Sequence, residues 1–206
     1  TEPQSLDPHI ATGVPEHHII SALMEGLVYK DGVTLEPRPG VAKSWDISDD
    51  GRVYTFYLRK NARWSNGDTH NAHDYVWSWW RALQPALGNL YAYMYFPIEN
   101  AQAYYEGDID DFSQVGVKAL DDYRLQVTLT NPIPYFLQLL DHYSTYPVHR
   151  ETVEKFGTAD QRGTRWTYEG NIVGNGAFQL KEWKINRRIT VERNPHYWNA
   201  DNVGLN

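Results

Sequence analysis

The sequence predicts a mixed α/β fold. Runs in which apolar residues alternate with period two are interleaved with runs in which they recur every three to four positions. Three regions carry this reading. Trp45 to Leu83 reads as strand, turn and helix, Val117 to Leu129 as a hairpin, and Gln179 to Arg193 as two strands about a polar turn.

The chain opens with an extended segment from Ser5-Leu6-Asp7-Pro8-His9 to Ala11-Thr12-Gly13-Val14-Pro15. Pro15 suits a first helical turn, and Glu16 suits the positive end of the helix dipole. Ile19, Ile20, Leu23, Met24 and Leu27 recur at helical spacing, which predicts an amphipathic helix over 15–26. Val28-Tyr29-Lys30 then leaves through a short strand to a turn at Asp31-Gly32.

In the central stretch, Asp49-Asp50-Gly51 turns into a strand with Tyr54, Phe56 and Leu58 on one face and Val53, Thr55 and Tyr57 on the other. Asn66-Gly67 signals the next turn. Asn71 is the expected N-cap of a helix, with Asp74 three residues on as a variant capping box. Ala72, Val76, Trp79 or Trp80, and Leu83 supply the apolar stripe, and Pro85 ends it.

Downstream, Leu90 to Phe96 places three tyrosines at period two, as a strand would. A short helix is expected over 100–106, then an acidic loop over 107–111. The 117–129 hairpin turns on Asp121-Asp122. Pro132 and Pro134 introduce a short helix over 135–140. A strand is expected around 144–148, a helix near 151–156, and a polar turn at Asn186-Arg187-Arg188 between the last two strands.

Composition narrows the function classes. The net charge of -7 argues against a nucleic-acid surface, which would need a basic patch. No apolar run approaches the roughly 18 residues of a membrane span. Cysteine is absent, which removes disulfides, thiolate metal sites and cysteine nucleophiles. The 8 Trp and 15 Tyr can fill a core or line a pocket for peptides or sugars.

Catalytic motifs are missing. The chain has no Gly-x-Ser-x-Gly elbow, phosphate loop or His-Glu-x-x-His. Asp49-Asp50 and Asp121-Asp122 fall in turns, where Asp serves the backbone. Gly174-Asn175-Gly176 lacks the third glycine of a dinucleotide fingerprint. His17-His18 point about 100° apart on a helix. His70 and His73 have helical i, i+3 spacing, but no third ligand follows, and they read as exposed residues at a helix start. Asp108 to Asp111 lacks the Gly and Glu of a calcium loop. No cofactor and no metal is expected, and no enzymatic activity.

Several groups of residues at fixed spacings resemble the oligopeptide-binding proteins of bacterial ABC importers, extracellular solute-binding protein family 5. They are Ser5-Leu6-Asp7-Pro8, Gly13-Val14-Pro15-Glu16, Glu25-Gly26-Leu27, Pro39-Gly40-Val41-Ala42 with Ser44-Trp45, Tyr54-Thr55-Phe56, Leu58-Arg59, Trp64-Ser65, and Asp74-Tyr75-Val76 with Ser78-Trp79. The 117–129 hairpin and Asn194-Pro195-His196-Tyr197-Trp198 extend the resemblance across the chain.

The resemblance implies a periplasmic-binding-protein-like fold of type II with three lobes. Residues 1–24 and 150–206 would belong to lobe I and residues 25–149 to an inserted lobe II, while lobe III is expected beyond Asn206. On that basis the chain reads as an N-terminal fragment with two lobes. It would be periplasmic, or extracytoplasmic and membrane-anchored, and in the whole protein it would hand its ligand to a membrane permease. The fragment would bind peptide weakly or not at all, and its uncovered apolar surface would favour self-association.

The same resemblance implies the site. Thr12, Gly13 and Val14 would pair with a peptide's backbone as an added strand, a mode that tolerates any side chain. The alternative is an ordinary loop before a helix. Members of the oligopeptide branch can carry an acidic residue where Thr12 stands, so a charged contact is lost here. Tyr91 would present its ring to a ligand side chain and its hydroxyl to a backbone group; the alternative is a half-buried strand tyrosine. Tyr93 and Tyr95 are expected to pack, and Glu25 to be structural at a lobe crossing. Two other classes remain open. One is a carbohydrate-binding module stacking sugars on residues such as Trp77 or Tyr91, and the other is a hydrolase with a carboxylate pair. Within the family, dipeptides, murein peptides or nickel chelates are alternative ligands.

Overall fold

In the computed structural model, which describes residues 2–204, the extended N-terminal segment leads into helix α1 (Val14–Leu23) with Pro15 in its first turn. The helix stops at Leu23, three residues short of Gly26, and tertiary contact causes it. The N–H of Gly176 donates to the Leu23 carbonyl at 2.9 Å, and Met24 turns to extended backbone. The next N–H, of Glu25, donates to Asn175 Oδ1 at 2.9 Å. Gly174 lets that strand of chain come close, since a Cβ there would stand 2.0 Å from the Leu23 carbonyl oxygen.

β1 (Val28–Lys30) and β2 (Pro37–Pro39) pair antiparallel. β3 (Ala42–Ile47) and β4 (Val53–Leu58) then open a four-stranded antiparallel sheet. Tyr54, Phe56 and Leu58 are buried and their alternates are not, as the period-two pattern requires. Helix α2 (Ala72–Ala82) begins with the expected capping box. Asn71 Oδ1 accepts the His73 N–H at 2.9 Å, and Asp74 Oδ2 accepts the Asn71 N–H at 2.8 Å. Helix α3 (Ala101–Glu106) precedes the hairpin of β5 (Val117–Asp121) and β6 (Arg124–Thr128), which completes the sheet in the order β3-β4-β6-β5. Helices α4 (Phe136–Leu139) and α5 (Arg150–Phe156) follow, and β7 (Phe178–Lys184) and β8 (Arg188–Arg193) form a separate hairpin.

The buried apolar residues form two clusters. One runs from Leu27 to Leu140 and packs the four-stranded sheet against Tyr75 and Trp79 of α2. The other joins Leu6, Ile20, Leu23 and Met24 to Tyr143, Val148, Val153 and Trp166. Burying each large side chain contributes roughly 1.5–3 kcal/mol, so both clusters act as cores. Helix α2 links them: Trp79 Nε1 donates to the Thr145 carbonyl at 2.9 Å, and the Val148 N–H donates to Ser78 Oγ at 2.9 Å.

Three expectations are corrected. The 144–148 segment is a 3-10 turn (Tyr143–Thr145) followed by extended chain outside any sheet. Its backbone groups are taken by side chains instead of a neighbouring strand: Ser144 O by Tyr95, Thr145 O by Trp79, Tyr146 O by His9 and Val148 N by Ser78. The three tyrosines of 91–95 likewise lie at a 3-10 turn (Ala92–Tyr95), which sends Tyr95 into the core and leaves Tyr93 exposed. His70 is fully buried, with its Nδ1 3.0 Å from Asp74 Oδ2 and its ring edge-on to Trp64. His73 is exposed as expected.

Candidate functional site

The segment before α1 is held from several sides. The N–H groups of Ile10 and Ala11 donate to the Asp7 carbonyl, and the His9 N–H donates to Asp7 Oδ1 at 3.0 Å. Asp7 is itself gripped by Arg81 of α2 through two hydrogen bonds, at 3.0 Å and 2.6 Å. Burial alone would raise the Asp7 carboxyl, but the guanidinium outweighs it and holds the group below its usual range. Arg81 also donates to His9 Nδ1 at 2.8 Å, which leaves His9 Nε2–H to donate to the Tyr146 carbonyl at 3.0 Å. Burial first, and then the Arg81 charge, push His9 down to about 4. Tyr143 Oη closes the anchor by donating to the Ala11 carbonyl at 3.0 Å.

Beyond Ala11 the chain faces outward. Thr12 is exposed, Gly13 is extended at the N-cap of α1, and Val14 is 69% exposed. Among the described residues, the N–H groups of Thr12, Gly13 and Val14 make no hydrogen bond. Tyr91 Oη donates to the Thr12 carbonyl across 3.4 Å. The Tyr91 ring meets His142 edge-on at 4.6 Å and Tyr143 at 6.0 Å. Hence the four residues singled out in the sequence come together. Thr12, Gly13 and Val14 also border a hollow of about 650 Å³, and Tyr91 stands outside its lining.

The opposite sides of that hollow include Trp166, Tyr168 and Trp183, and Glu16 contributes a buried carboxylate that accepts the Gln4 N–H at 2.7 Å. Sequence reasoning gave Glu16 only a helix-dipole role and missed Trp166, Tyr168 and Trp183, together with His142 and Tyr143 behind Tyr91. These last five converge from segments more than 120 positions away from Thr12, and no local pattern marks them. His142 accepts the N–H of Ser144 at Nδ1. Burial, then the charge of His17, lower it to about 4, so it presents a neutral ring to Tyr91.

Other candidates resolve into structural roles. The Glu25 carboxylate accepts from Tyr197 Oη at 2.7 Å and Trp198 Nε1 at 2.5 Å, while Asn175 bonds both the N–H and the carbonyl of Glu25. Trp64, Trp79 and Trp166 are buried and offer no stacking platform. Trp77 is half-buried between Trp80 and Arg150. Asp50 and Asp121 accept nearby backbone N–H groups, as turn residues do. Among the described residues, no three His, Asp or Glu side chains are arranged to hold a metal ion.

Among the described residues, the N–H groups of this outward-facing stretch are unpaired, and aromatic rings stand behind it. Residues 36–206 match the profile of the bacterial extracellular solute-binding proteins, family 5 (Middle), and the chain belongs to that family. The periplasmic oligopeptide-binding protein OppA of Escherichia coli (strain K12) is 46% identical over the whole chain, and the periplasmic murein peptide-binding protein MppA of the same organism is 40% identical over 98% of it. The crystal structure of Haemophilus influenzae OppA in complex with RPPGFSPFR superposes with a TM-score of 0.89 at 43% identity, over 98% of this chain. A periplasmic oligopeptide-binding protein from Borrelia burgdorferi gives 0.92 at 38% identity over the full chain. The chain spans 36–37% of the length of the two E. coli relatives and 38–40% of the two solved chains.

Proposed function

We propose that this chain belongs to an extracytoplasmic solute-binding protein that captures oligopeptides for an ABC importer, and that it carries one wall of the peptide cleft. The observation that carries this is the outward-facing Thr12–Gly13–Val14 backbone with Tyr91 beside it. Main-chain pairing along that edge would hold an extended peptide without regard to its sequence. Tyr91 would add ring contact and a hydroxyl. Residues 1–24 and 150–206 form lobe I in this reading, and 25–149 form lobe II. The separation of the buried residues into two clusters supports a division of this kind, although Tyr143, Tyr146 and Val148 pack with the cluster of residues 1–24 and 150–206. Function here is binding without a chemical step. No helix among the described residues is long and apolar enough to cross a membrane.

A single wall buries little of a ligand, so weak affinity is expected. The test is isothermal titration with a pool of two- to five-residue peptides, beside the same pool with N-methylated backbones. Binding of the first pool only supports main-chain pairing at this edge. Equal binding of both sinks the reading for this chain. No binding by the unmodified pool at about 10 mM, where even millimolar affinity would register, means that one wall does not hold peptide alone, and the same two pools then decide the reading on the whole protein. The murein peptide-binding relative makes short murein peptides the second ligand class to titrate.

A further inference from the structure

The geometry points to Arg81 as a positioning residue for the cleft wall: its grip on Asp7 sets where the Thr12–Val14 backbone stands. This rests on the reading of Thr12 to Val14 as the peptide edge. Arg81 touches no part of that edge. It is fully buried on α2, the helix whose Tyr75 and Trp79 belong to the other apolar cluster.

Every side-chain hydrogen bond that Arg81 makes reaches a segment outside its own helix. Nη1 and Nη2 hold both carboxylate oxygens of Asp7, Nη1 also reaches His9 Nδ1, and Nε donates to the Ala159 carbonyl at 2.8 Å. Asp7 passes this placement on, because its carbonyl takes the N–H groups of Ile10 and Ala11. Tyr143 fixes the next carbonyl, of Ala11, and the chain then emerges at Thr12. The rigid, planar fork of Arg fixes both the distance and the orientation of a carboxylate, which a single point charge does not.

Stability alone does not account for this arrangement. A buried ion pair gives back much of its attraction as desolvation cost, and apolar residues of similar volume are often neutral or stabilising in its place. What they lack is the fixed geometry. Backbone hydrogen bonds to a peptide require donor–acceptor distances of about 2.7–3.2 Å, so a cleft edge adrift by about an ångström loses them.

The test compares the wild-type chain with the double variant Asp7→Leu/Arg81→Met, which removes both charges together and leaves neither unpaired. Titration with tetra-alanine is expected to give a Kd at least tenfold weaker in the double variant, with the melting temperature within a few degrees of wild type. A Kd within twofold of wild type in the folded variant overturns the proposal. Amide hydrogen exchange gives a readout independent of peptide. The Ala11 N–H should exchange at least tenfold faster in the variant, while the Tyr146 N–H, bonded to Tyr143, keeps its protection. Unchanged Ala11 protection also overturns it. If wild type binds no tetra-alanine, one wall does not hold peptide alone, and the exchange data still decide the role of Arg81. Should the double variant not fold, Arg81→Lys carries both measurements, because it keeps the charge and loses the fork.

Discussion

Tyr91 Oη lies 3.4 Å from the carbonyl oxygen of Thr12, a residue 79 positions earlier in the chain. This contact joins the two parts of the proposed site, and at that length it is a weak hydrogen bond. The hydroxyl can therefore turn to a ligand at little cost to the fold.

Tyr91→Phe should leave the melting temperature within about 2 °C of wild type, since the lost bond is weak. If the hydroxyl reaches a bound peptide, losing one hydrogen bond costs about 0.5–1.5 kcal/mol, or roughly 2- to 10-fold in Kd. Tyr91→Ala should weaken binding further by removing the ring. Titration of the three proteins with tetra-alanine checks this; equal affinities would remove Tyr91 from the site.

His9 predicts how stability responds to acid. The folded chain holds His9 down to about 4, against an ordinary value of 6.5, through burial and the Arg81 charge. Above 6.5 the ring is neutral in both folded and unfolded chains. Between 6.5 and 4 the unfolded chain takes up a proton that the folded chain refuses, so stability falls as pH falls across that window. The loss from this residue is on the order of 3 kcal/mol. Urea unfolding at pH 7, 5.5 and 4.5 measures it, and His9→Gln should show a shallower fall. Parallel curves for the two proteins would contradict the assignment.

Strand β4, the capped helix α2 and the hairpins β5–β6 and β7–β8 were legible because each is written in local periodicity and turn chemistry: Tyr54, Phe56 and Leu58 by alternation, Asn71 and Asp74 by spacing; β2 and β3, which show no such alternation, were not read. The misread segments have their causes elsewhere in the chain. The 144–148 stretch looks like a strand, yet its partners are Tyr95, Trp79, His9 and Ser78, four side chains from three distant segments. His70 reads as exposed by its position before a helix, and only the packing of Trp64 over it reveals its burial. For the site, family resemblance singled out Thr12, Gly13, Val14 and Tyr91, while the buried pair behind them could not be inferred from Asp7 and Arg81 at 74 positions' separation.

Glu25 predicts the opposite pH trend at the junction with Tyr197 and Trp198. Burial raises its carboxyl above the ordinary value of 4.5, against the lowering effect of those two donors. A raised carboxyl is stabilising below its unfolded value and loses that contribution as pH rises through the folded one. Glu25→Gln, which has one oxygen and no charge, should therefore flatten the dependence of stability on pH above 4.5. Unfolding curves at pH 4.5, 6 and 7.5 check this. A Gln variant with the same slope as wild type would mean that the burial of Glu25 is not felt as a proton affinity.

Gly174 tests whether tertiary contact, and not propensity, ends α1. A Cβ added there would stand 2.0 Å from the Leu23 carbonyl oxygen and 3.0 Å from its carbonyl carbon, so backbone would have to move. Overpacking of this kind costs about 1–3 kcal/mol. In a chain of this size that lowers the melting temperature by roughly 2–12 °C. Gly32→Ala is the control, because nothing lies within 4 Å of a Cβ at that position. The control should stay within about 0.5 kcal/mol of wild type. Because the clash falls at the C-terminal end of α1 and Thr12 lies before its first turn, folded Gly174→Ala should keep its peptide affinity. Equal melting temperatures for the two variants would show that the chain at Gly174 yields without cost. The end of α1 at Leu23 would then owe more to Met24 and the Asn175 bonds than to close backbone contact.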